Sequence, residues 1–206
     1  IRQTDQSTVT GSDKVQGSTT KNYFGYGTGL RYMFFDPLAV KVSYEHSVRL
    51  PIARELLGNG TTIYANVALK PEKSNNVNLA LFGTWHPAGR HTIYYEANGF
   101  LRYVDNYIQT SVIEKEGMMQ FVNDPAVHIK GVEGEIRYDW DGRLQLMANV
   151  SYQDARDQQK YKEDGKPSAT YDNHVPNRPW LFGNAEASYT FHNLLLHDNK
   201  LRLGCT

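Results

Sequence analysis

The chain has 206 residues, which is enough for one ordinary domain or slightly more. Its 22 Lys and Arg balance its 22 Asp and Glu, and a formal net charge of zero argues against a general nucleic-acid binder, because such proteins need a basic surface. The single cysteine excludes an internal disulfide, and no apolar run approaches the roughly 18 residues that a membrane-spanning helix requires.

Aromatic residues are the unusual part of the composition. Fourteen Tyr, eight Phe and three Trp make up 12% of the chain, although the mean hydropathy of −0.58 is clearly polar. Aromatic side chains suit the pleated surface of a sheet, so the composition predicts an all-β fold. The chain begins at Ile1 rather than Met and stops at Thr206 inside a strand-like run, so we expect a piece of a longer protein.

Eight segments alternate between apolar and polar side chains, which is the two-residue period of a strand with two different faces. Residues 39–50 show the pattern: Val40 and Val42 occupy one parity, and Lys41 and Ser43 occupy the other. In chain order the eight segments are 22–34, 39–50, 75–86, 91–104, 128–140, 143–154, 180–191 and a last one that begins at Leu201.

The connections between these strands alternate strictly in length. The short ones are the turns at 35–38, 87–90, 141–142 and 192–198, and the long ones cover 51–74, 105–127 and 155–179. All long loops then lie at one end of an antiparallel up-and-down meander, which is typical of a transmembrane β-barrel with an apolar outside and a polar lumen. Two alternatives stay open: a soluble β-sandwich that binds carbohydrate through loop aromatics, and a closed barrel of eight strands.

No motif in the sequence predicts catalysis, a metal site or a cofactor. Glu133 and Glu135 share one strand face, but catalytic carboxylates usually oppose each other across a substrate, and same-face acids are more often a solvated or lumen surface. The seven His show no metal-ligand spacing, and the glycine-rich run at 25–29 lacks the helix of a phosphate cradle. We therefore expect that the protein is not an enzyme.

The long loops are where a ligand would bind, since binding residues concentrate on loops that a rigid scaffold positions. Aromatic or soft apolar side chains are available there for such contacts. The candidates are Tyr64, Tyr107, Met118, Met119, Phe121, Tyr161 and Tyr171. Packing of the loops on themselves explains the same side chains equally well.

A series of short motifs then follows in a fixed order. They are Arg49-Leu50-Pro51 with Glu55-Leu56, Asn66 with Leu69-Lys70-Pro71-Glu72-Lys73-Ser74, Tyr107-Ile108, Gly131-Val132-Glu133-Gly134-Glu135, and Pro176-Asn177-Arg178-Pro179. In this order they resemble the barrel region of TonB-dependent outer-membrane receptors, and the resemblance covers about residues 24–203.

The resemblance implies that residues 1–206 are one partial β-barrel domain, an internal segment from the later half of a barrel of about twenty-two strands. The plug that fills such a barrel, the segment that contacts TonB and the remaining strands would lie outside this chain. It also implies a bacterial outer-membrane location and import of a scarce nutrient, a siderophore, corrinoid or glycan, with energy from the TonB system. The expected partners are outer-membrane lipid, the TonB system and a small nutrient ligand, without nucleic acid. A passive porin or adhesin barrel is the alternative that shares the strand pattern.

The motif residues have mostly structural roles under this resemblance. Proline suits a strand margin because it lacks an amide hydrogen, and glycine suits a close backbone approach or a bulge. Charged residues of the polar parity would line the lumen and pair with one another or with a plug. The structural set consists of Arg49, Pro51, Glu55, Asn66, Lys70, Pro71, Glu72, Gly131, Glu133, Asn177 and Pro179.

Overall fold

The computed structural model describes residues 2–8, 16–87, 89–113, 117–162, 164–193 and 199–206. For residues 2–8 and 16–21 it describes the backbone alone. Parts of the expected turns at 87–90 and 192–198 lie outside the described residues. No helix among the described residues is long and apolar enough to cross a membrane.

Nearly all ordered segments are antiparallel strands, with one short helix. They are β1 (Arg2–Thr8), β2 (Gln16–Asn22), β3 (Tyr26–Phe35), β4 (Leu38–Arg49), α1 (Ala53–Leu57), β5 (Ile63–Tyr64), β6 (Glu72–Trp85), β7 (His91–Ile113), β8 (Met118–Trp140), β9 (Leu144–Asp157), β10 (Leu181–His192) and β11 (Lys200–Cys205).

The main sheet is a meander in which eight strands follow one another in the order β3, β4, β6, β7, β8, β9, β10, β11. All seven pairings are antiparallel, so the predicted all-β, up-and-down architecture is confirmed. Within the described residues β3 and β11 are the two edges and the sheet is open, so neither a closed eight-strand barrel nor a two-layer sandwich forms. The pair β1 and β2 forms a separate hairpin that the sequence did not reveal, because its residues are polar on both parities.

The sheet has one apolar and one polar face, as the alternation predicts. The apolar face carries a cross-strand row of Leu79, Gly99, Val132 and Tyr152, which the strand register sets side by side. Leu79 is 51% exposed and Val132 is 59% exposed, so no part of this sheet covers them. The opposite parity, which we call the polar face, holds the Ser, Asn, Glu and Arg side chains. An exposed apolar face is the arrangement of a membrane barrel and the reverse of a soluble β domain.

The expected long loop at 105–127 is wrong, because β7 and β8 continue through it as one hairpin. Each strand has 23 residues, and their pairing runs as far as Ile113 opposite Met118. Asn106 and Pro125 are residue types that favour turns, which is why the sequence predicted a loop here. In the structure Asn106 has a φ of 54°, and the two residues lie unpaired opposite each other in an otherwise regular ladder. About 10 residues suffice for a transmembrane strand, so both strands are about twice as long as a membrane crossing requires.

A small apolar core fixes this long-loop end. It joins β7, β8, β9 and the segment 158–180. Its buried members are Phe100, Val104, Tyr107, Val127, Ile129, Ala155 and Val175. The connection between β9 and β10 is therefore packed against the sheet through Val175.

At the opposite, short-turn end, the turn between β3 and β4 closes over a glycine of β6. A Cβ atom on Gly83 would lie 1.4 Å from the carbonyl oxygen of Pro37. The Tyr95 hydroxyl donates a hydrogen bond of 2.6 Å to the same oxygen. Only a residue without a side chain lets the turn and the tyrosine meet in this way.

Candidate functional site

An ion cluster ties the helix to the long-loop end of the sheet. Arg49, the last residue of β4, contacts Glu72 of β6 at 2.5 Å and Glu55 of α1 at 3.0 Å. Glu72 also accepts a hydrogen bond of 2.6 Å from the Ile108 amide, and Glu55 accepts one of 2.9 Å from the Ile52 amide. The spacing of the Arg-Leu-Pro and Pro-Glu motifs thus brings one guanidinium between two carboxylates.

The segment 50–71 is fastened along the β7–β8 hairpin by amide side chains. Asn66 donates to the Phe121 carbonyl at 2.8 Å, and Asn123 both accepts from the Lys70 amide and donates to the Lys70 carbonyl, at 2.8 and 2.9 Å. The short strand β5 adds a parallel pairing of Ile63 with Met119. Pro71 is buried at the start of β6, directly before Glu72.

A polar recess of about 430 Å³ opens on the polar face beside this cluster. Ser47, Ser74 and Asn76 lie in its wall, together with Arg102 and Arg178. The described residues include no Asp or Glu that forms an ion pair with either arginine. The recess therefore presents two guanidinium groups without an ion-pair partner among the described residues, and its wall also contains the carboxylates of Glu45 and Glu72.

Aromatic rings hold both arginines in place. Arg178 donates to the Tyr107 hydroxyl at 2.5 Å and lies 5.3 Å from the centre of that ring. Arg102 lies 4.7 Å from the Phe100 ring centre, and Phe100 occupies the space above Gly131, where a Cβ would come within 2.4 Å of the ring. Cation–π contacts of this kind fix a guanidinium plane without removing its charge.

The Pro-Asn-Arg-Pro motif positions Arg178 at the edge of the recess. Asn177 has a φ of 59°, a left-handed conformation that asparagine tolerates better than most residues. The Pro179 carbonyl accepts a hydrogen bond of 2.9 Å from Gln153 of β9. Before the arginine, the Val175 amide donates a hydrogen bond of 2.9 Å to the Ala155 carbonyl, so the segment is tied to β9 on both sides of Arg178.

Three carboxylates lie close together near the middle of the polar face. Glu96 and Glu135 are direct cross-strand partners, and Glu133 is paired in the ladder with Asn98. Arg137 forms an ion pair with Glu135, and the Tyr94 hydroxyl donates to Glu96. Among the described residues only Glu135 of these three acids has an ion-pair partner, so this part of the polar face is negative.

The residues expected in ligand-binding loops fall into separate places. Tyr107, Met119 and Phe121 lie on strands, because the loop predicted at 105–127 is a hairpin, and Met118 is the first residue of β8. Tyr107 is 5% exposed and is the member that lines the recess. Tyr64 and Met119 are exposed on the adjacent strands β5 and β8.

Tyr161 and Tyr171 lie on the segment between β9 and β10, away from the other candidates. Tyr161 is exposed, and the Lys160 ammonium lies 5.6 Å from the Tyr171 ring centre. The sequence reading missed Arg102 and Arg178 as recess residues. The available signals were the position of Arg102 on the polar side of the strand pattern and the presence of Arg178 in the Pro-Asn-Arg-Pro motif. Among the described residues no group of three or more His, Cys, Asp or Glu is placed to hold a metal ion.

Two buried aspartates lie near each other at the long-loop end. Asp124 and Asp157 are each 7% exposed, and Gln109 donates to Asp124 at 3.2 Å. Burial, and then the charge of Asp157, raises the pKa of the Asp124 carboxyl to about 6, although the Ala126 amide lowers it. The folded protein therefore keeps a proton on Asp124 at pH values where the unfolded chain has lost it.

The stability of the fold should consequently fall as the pH rises through this range. The stabilising contribution is fully present below a pH of about 3.8, the ordinary value for Asp, and is lost as the pH passes about 6. Wild type should lose roughly 2–3 kcal/mol of unfolding free energy between these limits, and Asp124→Asn should not show this loss. Urea unfolding of the complete protein over a pH series measures this, and parallel curves of stability against pH for wild type and variant would contradict it.

A family model identifies the family of this chain, and solved structures share its fold. A family model described as "TonB dependent receptor-like, beta-barrel" matches residues 1–202. No curated protein sequence matches this chain.

Solved structures with the same fold include three transport receptors. The copper transporter OprC has a TM-score of 0.61 at 19% identity, over 91% of this chain and 27% of its own length. The hemophore receptor HasR of Serratia marcescens, in complex with its hemophore HasA and heme, has a TM-score of 0.58 at 14% identity, over 87% and 31%. The ferric-catecholate import receptor Fiu of E. coli K12 has a TM-score of 0.57 at 15% identity, over 90% and 27%. At these identities the likeness shows the fold, and the chain spans only 27% to 31% of those proteins.

Proposed function

Because this chain belongs to the TonB-dependent receptor β-barrel family, we propose that it is a wall segment of a bacterial outer-membrane receptor that imports a scarce nutrient with energy from the TonB system. The family match over residues 1–202 carries the proposal. Residues 1–206 would form one partial barrel domain, and the rest of the receptor would supply the plug, the TonB-contacting segment and the remaining strands.

The two faces of the sheet support a barrel wall in a membrane. The apolar face would contact outer-membrane lipid, and the polar face would line the lumen. The acidic group of Glu96, Glu133 and Glu135 would then face the plug, where basic side chains would neutralise it. A passive porin shares the two faces, but the structured cover that the Arg49 cluster and the segment 50–71 build beside the polar recess favours a receptor that captures a ligand.

Nutrient capture would take place at the long-loop end. Arg102, Tyr107 and Arg178 would offer charge-assisted hydrogen bonds and an aromatic hydroxyl in the recess. The exposed rings farther out, on the β5–β8 edge and on the segment before β10, would make the first contacts. The set proposed from the sequence consists of Tyr64, Tyr107, Met119, Phe121, Tyr161 and Tyr171. A siderophore, a corrinoid or a glycan fits this proposal, and the family is one of transport receptors, so we assign no catalytic residue or cofactor.

Uptake by cells that express the complete receptor tests the proposal. We expect ligand-saturable uptake of a siderophore, corrinoid or glycan that collapses when TonB is deleted, because release into the periplasm would depend on the energy TonB supplies. Uptake that rises linearly with concentration and does not respond to TonB would indicate a passive channel and overturn the proposal.

The position of the ligand is tested in the same cells. Arg102→Gln is expected to raise the half-saturation concentration about tenfold, the effect of one lost charge-assisted hydrogen bond. Lys41→Gln is the matched control, since Lys41 is an exposed lysine of the same face that does not line the recess. Equal half-saturation concentrations for the two variants would show that the ligand does not bind in the recess.

A further inference from the structure

One cross-strand row of the polar face carries opposite charges at its two ends. The strand register pairs Glu45 of β4 with Asn76 of β6, and Asn76 with Arg102 of β7. Neighbouring strands of a sheet lie about 4.8 Å apart, so the backbones of Glu45 and Arg102 are about 10 Å apart. All three residues lie in the wall of the polar recess. The recess therefore has an acid on one side and a cation on the other.

The charges at both ends of this row are accessible. Glu45 and Arg102 are exposed, and within the described part of the chain neither forms an ion pair. The guanidinium of Arg102 lies 4.7 Å from the Phe100 ring centre, a contact that holds it in place and leaves its charge intact. Glu72, the other acid of the wall, already contacts Arg49 at 2.5 Å. Glu45 is thus the acid that a ligand in the recess can reach.

The middle of the row leaves room for a ligand. The amide of Asn76 donates to Ser74 at 3.1 Å and to Ser47 at 3.3 Å, and the two serine hydroxyls share a hydrogen bond of 2.8 Å. The amide is therefore directed toward the neighbouring row of short side chains. The recess of about 430 Å³ lies above this polar floor, between the acid and the cation.

The charges of the recess disfavour neutral ligands and simple anions. A neutral glycan would cover Glu45, Arg102 and Arg178 without pairing them, and an unpaired charge is costly to remove from water. An anion would pair with the two guanidinium groups but would meet a like charge at Glu45. A ligand that carries both an ammonium and a carboxylate forms charge-assisted hydrogen bonds at both ends of the row.

We propose that the recess binds a zwitterionic, tripeptide-sized part of the nutrient, with its carboxylate on Arg102 and Arg178 and its ammonium on Glu45. Three extended residues span at most about 10 Å, which matches the length of the row. Recognition of both ends would fix the direction of the ligand as well as its length. The inference rests on the proposed function, since it names the chemistry of the ligand that the receptor would capture.

The test uses the complete receptor, purified in detergent, and three probes of equal backbone length. They are triglycine, N-acetyl-triglycine, which lacks the ammonium, and triglycine amide, which lacks the carboxylate. Calorimetric titration gives the dissociation constant of each probe. We expect triglycine to bind about tenfold more tightly than either blocked peptide, which is the effect of one charge-assisted contact.

Two variants assign the two ends of the probe separately. Glu45→Gln should bind triglycine and N-acetyl-triglycine equally, and it should still prefer triglycine to triglycine amide. Arg102→Gln should show the opposite pattern, because it keeps the contact with the ammonium and weakens the contact with the carboxylate. Glu186→Gln and Lys41→Gln are the matched controls, since both residues lie on the polar face outside the recess, and both variants should behave as wild type.

Equal affinity of wild type for the three peptides would overturn the inference, as would the absence of triglycine binding at millimolar concentration. It would also fail if Glu45→Gln still discriminated against N-acetyl-triglycine, because the ammonium would then bind elsewhere. Tighter binding of N-acetyl-triglycine than of triglycine would indicate a site for simple anions. The uptake assay separates the two proposals. Saturable, TonB-dependent uptake without a preference for triglycine contradicts only this inference, whereas linear uptake that does not respond to TonB contradicts the proposed function.

Discussion

Replacing Gly83 by alanine is expected to destabilise the barrel by about 3 kcal/mol or more. The new Cβ would lie 1.4 Å from the Pro37 carbonyl oxygen, so the backbone of the turn would have to move. That movement would also break the hydrogen bond from the Tyr95 hydroxyl to the same oxygen. Urea unfolding of the complete receptor in detergent or lipid vesicles measures the loss.

Gly99→Ala is the matched control, because it is the same chemical change in the next strand of the sheet. No atom lies within 4 Å of a Cβ built on Gly99. Alanine is favoured over glycine in a strand by about 0.5 kcal/mol, so this variant should be neutral or slightly more stable. If both variants lost the same stability, the close approach of the turn to Gly83 would not be the cause.

Glu72→Ala is expected to have the second largest effect, a loss of about 3 kcal/mol. The variant leaves the buried Ile108 amide without its acceptor and removes the carboxylate nearest to Arg49. Arg49 is half-exposed and keeps Glu55, so most of the loss should come from the amide. Unfolding in urea gives the total, and hydrogen exchange at Ile108 shows whether β7 has lost its contact with β6 at this point.

Two further variants separate charge from hydrogen bonding at this position. Glu72→Gln keeps an acceptor for the Ile108 amide and loses only the charge, so it should lose about half as much stability. Glu45→Ala removes an exposed carboxylate of the same face and should lose less than about 0.5 kcal/mol. A Glu72→Ala variant as stable as Glu45→Ala would contradict the structural role of the cluster.

Most of the sheet was predictable from the sequence, because in the proposed membrane barrel lipid on one side and water on the other require opposite side chains on the two faces of each strand. The alternation in β4 or β9 follows directly from that demand, and the tight Asp-Gly turn at 141–142 closes a hairpin of the expected kind. Beyond the membrane both sides of a strand meet water or protein, and the alternation disappears. The outer halves of β7 and β8 were therefore taken for a loop.

The recess could not be predicted because it depends on contacts between distant segments. Tyr107 and Arg178 are 71 residues apart and meet only when the segment before β10 folds back over β7. The alternation of apolar and polar residues around Tyr107 and Arg178 does not indicate this contact. The sequence indicated the residues of this cluster, Arg49, Glu55 and Glu72, only through the family resemblance, because their spacing does not reveal which carboxylate the arginine contacts.

Every strand of the main sheet pairs with its neighbour along the chain, apart from the detour of α1 and β5 between β4 and β6. Contacts of this kind have short sequence separations, and folding rates rise as the mean separation falls. The sheet can therefore fold by adding one hairpin after another. The hairpin of β7 and β8 is the longest of these local units. In the receptor that we propose, the slow step of folding would be the closure of the barrel, when the edge strands β3 and β11 pair with strands from the rest of the protein.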